Sequence, residues 1–145
     1  MANWTKLIGI GSDDGPEKCY LTGYNGSGAE VAAGTPVNWD TVASDGRTFK
    51  TPATANFKLV AGIAEEAVGT AEYTSKILAY GPVTARTYGV ASNFIPGASL
   101  IQVNAKTYLA YCTDGQLAGQ LPVFVALETN ATAATSTKKI FARCI

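Results

Sequence analysis

The sequence predicts an all-β protein, a sandwich or barrel of short strands with little or no helix. Three observations carry that prediction. Short apolar and β-branched runs recur along the chain, separated by Gly, Pro, Asn and Asp turns. Helical periodicity is missing: the best candidate, residues 64–73, is rich in Ala and Glu but is interrupted by Gly69 and keeps no apolar stripe. Third, the chain repeats itself. Residues 123–128 are Val-Phe-Val-Ala-Leu-Glu, followed by a run of small polar residues and then by Lys-Lys-Ile-Phe-Ala-Arg-Cys at 138–144. A near copy stands at 61–66 and 76–80, offset by 62 residues in the first block and 63 in the second.

Two further landmarks extend the repeat. Gly34 and Gly97 are 63 apart, and the Asp45-Gly46 and Asp114-Gly115 turns are 69 apart. Four landmarks in one order imply two similar β modules that bury a shared face. The division is an N-terminal strand or arm over 1–28, a first module over 29–81 and a second over 82–145, together one compact unit.

In chain order, residues 4–10 read as a first strand, 11–16 as a turn, 18–22 as a second strand and 24–28 as a turn. Residues 37–42 form the next strand, Asp45-Gly46 turns the chain, and 47–56 are polar and irregular. Phe57, Leu59, Ala61 and Ile63 alternate and are expected to share one face. Residues 76–80 return, Gly81-Pro82 ends that strand, and 84–90 link to strands at 101–103, 107–112, 123–128 and 138–144. In the last of these, Ile140, Ala142 and Cys144 are expected to face the core. Lys139, Phe141, Arg143 and Ile145 face outward, two bases among two large apolar side chains, a mixture suited to contact with another subunit.

With 145 residues and 47% hydrophobic content, the chain can bury one core. Charged residues make up 15%, below the roughly 25% typical of soluble domains, which suits a surface partly hidden against neighbours. The net charge is zero but uneven: residues 1–81 carry six basic and nine acidic side chains, and residues 82–145 five basic and two acidic. Such a dipole favours head-to-tail packing. No basic run interleaves with aromatics, so no nucleic acid is expected as a partner. No apolar run reaches the roughly 20 residues of a membrane span, and no secretory signal is visible, so synthesis in a cytoplasm is expected.

The chemistry available is narrow. The chain has no histidine, which removes Ser-His-Asp and Cys-His catalysis and the usual zinc sites. Cys19, Cys112 and Cys144 are widely spaced and odd in number, unlike a disulfide framework, and Cys112 and Cys144 read as buried thiols. Glu65 and Glu66 are adjacent and point to opposite faces of a strand, one in an ion pair and one solvated. Residues 9–15 depart from a phosphate-binding glycine loop, and Asp13 and Asp14 would repel phosphate. Asp13, Asp14 and Glu17 could hold a calcium ion, although no alternating Asp/Asn loop with a closing Glu accompanies them. The chain is expected not to be an enzyme and to need no cofactor or metal.

The segments Gly34-Thr-Pro-Val37, Ile63-Ala-Glu-Glu66 and Val125-Ala-Leu-Glu128 resemble those of tailed-phage capsid decoration proteins, also called head-decoration or capsid-cement proteins. The likeness covers about residues 30–145. It implies a virion structural protein that binds the outer surface of an assembled capsid and stabilises the head. Its partners would be the major capsid protein and further copies of itself, as a homotrimer, and it would reside on the capsid surface after synthesis in the host cytoplasm. Residues 1–10 are expected to add a strand to a neighbour's sheet edge, and Trp4, Phe141, Arg143 and Ile145 are the expected assembly contacts. Two other readings stay open: a carbohydrate-binding or adhesin-like β-sandwich on a virion, and a tail-tube or neck subunit.

Overall fold

The computed structural model describes residues 17–43, 45–53, 59–89, 94–112 and 123–145. Among them are nine strands and no helix: β1 (Cys19–Asn25), β2 (Pro36–Trp39), β3 (Thr48–Lys50), β4 (Val60–Ala64), β5 (Tyr73–Tyr88), β6 (Ser99–Gln102), β7 (Leu109–Tyr111), β8 (Phe124–Ala126) and β9 (Thr135–Arg143). The expected first strand at 4–10 and the Asp114-Gly115 turn lie outside the described residues.

The ladders close twice. β1, β3, β2, β4 and β5 form one circuit of five strands, because β1 and β5 pair with each other. β5, β7, β6, β8 and β9 form a second, closed by the β5–β9 ladder. Each circuit is a small barrel, and β5 belongs to both. The connectivity is the same in each: the first strand pairs parallel with the third, and every other pairing is antiparallel.

The repeat seen in the sequence is therefore a repeat of ladder positions. Ala64 pairs with Ile77 in the first barrel as Ala126 pairs with Ile140 in the second. The Gly34 N–H donates to the Ala64 carbonyl at 2.7 Å, and the Gly97 N–H donates to the Ala126 carbonyl at 2.8 Å. Both glycines hold a positive φ, 78° and 89°, which an L side chain adopts only under strain. The Asp-Gly landmark does not fit this alignment. Asp45-Gly46 precedes β3, whereas Asp114-Gly115 follows β7, the equivalent strand. Residues 103–106 make the turn before β7, with the Lys106 N–H on the Val103 carbonyl at 3.0 Å.

Three strand assignments differ from the sequence reading. β5 runs for 16 residues through Gly81-Pro82 instead of stopping there. The Cys144 N–H donates to the Ala79 carbonyl, so odd-numbered residues of β5 turn their backbone groups toward β9. Pro82 is even-numbered, and its missing N–H falls on the other side, where it costs no ladder bond. β3 lies inside the stretch read as irregular, with only Phe49 as a large apolar residue. Phe57 lies outside the described residues, and the alternation expected from 59 to 63 is broken: Val37 pairs with Gly62 but Asn38 with Val60, leaving Ala61 as a bulge. Ala61 then faces the first core, Ile63 the second, and Leu59 is exposed.

Each barrel has its own core. Val31, Val37, Phe49, Ala61, Ala64, Val68 and Ile77 fill the first. The second gathers Val83, Ala85, Phe94, Leu100, Leu109, Phe124, Ala126, Ile140 and Ala142, and Ile63 and Leu78 reach it from the first barrel's outer side. That seam is what the two modules share. β1 slips register against β5 between Cys19, opposite Tyr80, and Tyr20, opposite Leu78. The slip falls where β5 leaves the first barrel for the second, and past it the odd-numbered residues Val83, Ala85 and Thr87 are buried.

The approach to β3 is fixed by Asp45. Its Oδ1 accepts the N–H groups of Arg47 at 2.9 Å and Thr48 at 2.8 Å, and its Oδ2 accepts the Thr48 hydroxyl at 2.7 Å. These bonds, the Thr48 N–H foremost, lower the Asp45 carboxyl from 3.8 to about 2. A depressed carboxyl contributes stability above its unfolded value and loses it as the pH falls through the folded one. Wild-type protein is therefore expected to lose an increment of stability between pH 3.8 and about 2 that Asp45→Asn lacks. Urea unfolding of both proteins across that range measures it.

Candidate interaction surface

The outward face of the β5–β9 ladder is built by register. Tyr80 stands opposite Arg143, Pro82 opposite Phe141, and Thr84 opposite Lys139. These are the pairs whose backbone groups point away from each other, so their side chains lie close. The Phe141 ring meets Tyr80 edge-on, with centroids 5.2 Å apart and planes at 87°. Phe141 is half-buried, while Lys139 and Arg143 are exposed and have no ion-pair partner among the described residues. Ile145 follows β9 and is 69% exposed.

Of the expected contacts, Phe141, Arg143 and Ile145 thus fall at one end of one face, and Trp4 lies outside the described residues. The opposite face of β9 behaves as the sequence indicates: Ile140 and Ala142 are fully buried, and Cys144 packs against the same core. Burial pushes the Cys144 thiol up to about 12, so it is inert at neutral pH. Tyr80 and Pro82 were not legible as members of the face. Alternation along β9 identifies its own outward residues, but the partners across the ladder depend on a register that the sequence does not print.

Beside this face lies an open cavity of about 530 Å³, lined by Lys18, Glu65, Pro82, Val83, Thr84 and Lys139. Glu65 joins the elements around it. Its Oε1 accepts Lys18 Nζ at 2.5 Å and its Oε2 accepts the Tyr20 hydroxyl at 2.5 Å. The Lys76 ammonium sits 5.0 Å from the centre of the Tyr20 ring. Burial raises the Glu65 carboxyl, but the hydrogen bonds from Lys18 and Tyr20 outweigh it and hold the group below its ordinary value. The same hydrogen bond to Glu65 raises Lys18, against the opposing effect of burial. For Tyr20, burial first and then the bond to Glu65 raise the phenol. All three groups therefore stay in their ordinary charge states at neutral pH.

Glu65 is an acceptor with both oxygens occupied, which suits it to holding the wall and not to proton transfer. Glu66 points elsewhere, accepting the Thr74 hydroxyl at 3.1 Å; both glutamates follow β4 and lie outside the strands, so strand alternation does not set their directions. The cavity and the ladder face together present Lys18, Lys139 and Arg143 around the Glu65 carboxylate. The arrangement can clasp an apolar side chain against Phe141 and Tyr80 and pair with carboxylates at its rim.

Comparison with protein-family models gives no match, and comparison with curated proteins gives none.

Proposed function

We propose that this chain is a phage virion structural protein, a decoration or cement subunit that binds the outside of an assembled capsid and stabilises it. The observation that carries the reading is the β5–β9 face. A half-buried phenylalanine is braced by a tyrosine and flanked by two cations that have no ion-pair partner among the described residues, on a closed barrel. Such a face loses little conformational freedom when it is covered, so most of its contact energy remains available for binding. A protein that binds only the finished shell stabilises it by mass action, and several subunits bound to one shell add avidity.

Trp39 bears on the sugar-binding alternative. It is half-buried against the first core, so only part of its surface is open to a saccharide. Electron cryo-microscopy of the particle that carries this chain tests the reading. Density on the outer shell is the expected result; density in a tail tube or neck would overturn it.

Phe141→Asp is expected to weaken binding to the particle by about 2 kcal/mol or more, the loss of an aromatic anchor. Stability of the isolated chain should fall by less than about 1 kcal/mol, because the side chain stands outside the barrel. Co-sedimentation with particles and thermal unfolding by circular dichroism separate the two effects. A chain that unfolds instead would place Phe141 in the core.

A further inference from the structure

We propose that one end of the second barrel binds a primary carboxamide, the group carried by Asn and Gln side chains, with the Gln102 amide as its reader. The site lies inside the barrel, apart from the outward β5–β9 face, and owes nothing to it. The ladders place Gln102. It stands opposite Leu109, Leu109 opposite Thr87, and Thr87 opposite Ser136. Residues opposite one another turn their side chains to the same side of a sheet, and Leu109 belongs to the second core, so the whole row faces inward. β5 ends at Tyr88 and β6 at Gln102, while β7 begins at Leu109 and β9 at Thr135, so this row is the last at that end of the barrel.

Gln102 is 2% exposed, and neither its Nε2 nor its Oε1 has a hydrogen-bond partner among the described residues. The Ser136 hydroxyl in the same row has none either. An amide buried in that state destabilises a fold, and an apolar side chain of similar volume would be the more stable occupant. The first barrel has that arrangement. Trp39 opposite Phe49 matches Gln102 opposite Leu109. Val68, whose N–H donates to the Val31 carbonyl, matches Asn130, whose N–H donates to the Phe94 carbonyl. Val68 belongs to the first core and Trp39 packs against it. At the same end of the same module, two apolar side chains of one copy are thus two amides in the other. Asn130 donates to the Thr87 hydroxyl at 3.0 Å, which leaves Gln102 with both polar atoms open to a ligand.

The ligand chemistry follows from the amide. Gln102 offers N–H donors on Nε2 beside an acceptor on Oε1. A primary carboxamide presents the same groups in complementary order and closes a pair of N–H···O bonds with it. A carboxylate would satisfy Nε2 and set a negative charge against Oε1, and an ammonium would do the reverse. The amide is buried, so an incoming group has to part the loops at this end. Loop 127–134 reaches it through Asn130, and residues 131–135 beyond that tie are exposed.

Heteronuclear NMR of the wild-type chain tests this through the Gln102 side-chain NH2 signal. Acetamide is expected to move that signal saturably, with a Kd below about 10 mM, within reach of so small a ligand. Acetone, acetate and N-methylacetamide, similar in size, should bind about tenfold or more weakly, since none closes both bonds. A capped Ala-Gln-Ala peptide with no other primary amide separates two sources: tighter binding than acetamide assigns the site to a protein side chain, and weaker binding to a small free amide. Gln102→Met and Gln102→Leu should lose the acetamide response and unfold at higher urea concentrations than wild type, because each removes an unpaired amide at similar volume. The proposal falls if acetamide gives no saturable shift or if any of the three analogues matches it. It falls equally if both variants are less stable than wild type, which would show the amide to be satisfied inside the barrel.

Discussion

Replacing Gly62 with alanine is expected to destabilise the chain by about 3 to 5 kcal/mol, from backbone strain and overpacking together. Gly62 sits in β4 opposite Val37, next to the bulge at Ala61, with φ at 154°. A methyl group there would lie 2.9 Å from the Leu78 carbonyl carbon and closer still to its oxygen, with the Ile77 side chain 3.1 Å away. Neither neighbour can yield easily. Leu78 reaches the second core and Ile77 fills the first, so relief at one barrel disturbs the other. Gly97→Ala is the control: its φ is 89°, but nothing lies within 4 Å of the added carbon, and only the conformational cost of about 1 to 2 kcal/mol remains. Urea unfolding of both variants measures the difference, and equal losses would show that the close approach at Gly62 is readily relaxed.

Asn25→Ala is expected to cost about 1 to 3 kcal/mol, since it empties a buried amide site and removes three side-chain ties to the backbone, one of them fully buried. Asn25 is 1% exposed. Its Nδ2 donates to Ala29 O at 2.9 Å, Val68 O at 3.1 Å and Gly69 O at 3.0 Å, and its Oδ1 accepts the Ser27 N–H at 3.0 Å and the Ser27 hydroxyl. Asn25→Asp separates hydrogen bonding from volume. A carboxylate facing three carbonyls would have its folded pKa raised, so its penalty should be full at neutral pH and fade as the pH falls toward about 4. Unfolding at several pH values checks the slope, and a flat profile would mean that the carboxylate turns away from the carbonyls. The second barrel makes the corresponding tie from the opposite end. There the loop residue Asn130 donates to the Thr87 hydroxyl of β5 at 3.0 Å.

The legible parts of the fold were those that depend on local chemistry. Strand-forming runs, Gly34 and Gly97, and the Ala64 and Ala126 blocks all mark positions where one residue type meets one geometric need. What escaped depends on partners far away in sequence. β3 has a single large apolar residue and is a strand because it fills the gap between β1 and β2. Gly81-Pro82 reads as a stop, and only the direction of the ladder on β9 makes proline harmless there. The face around Phe141 was half legible: its β9 members follow from alternation, whereas Tyr80 follows from the β5–β9 register.

The shared strand also bears on inheritance. When a module is duplicated, each copy is normally free to drift, because a flaw in one leaves the other intact. Here β5 closes both barrels, so a change within it is tested in two environments at once. The loops answer to one barrel each, and there the copies have diverged: 65–72 carries three glutamates and 127–134 one. The architecture thus holds one strand to two sets of constraints and leaves the outer loops free to acquire different partners.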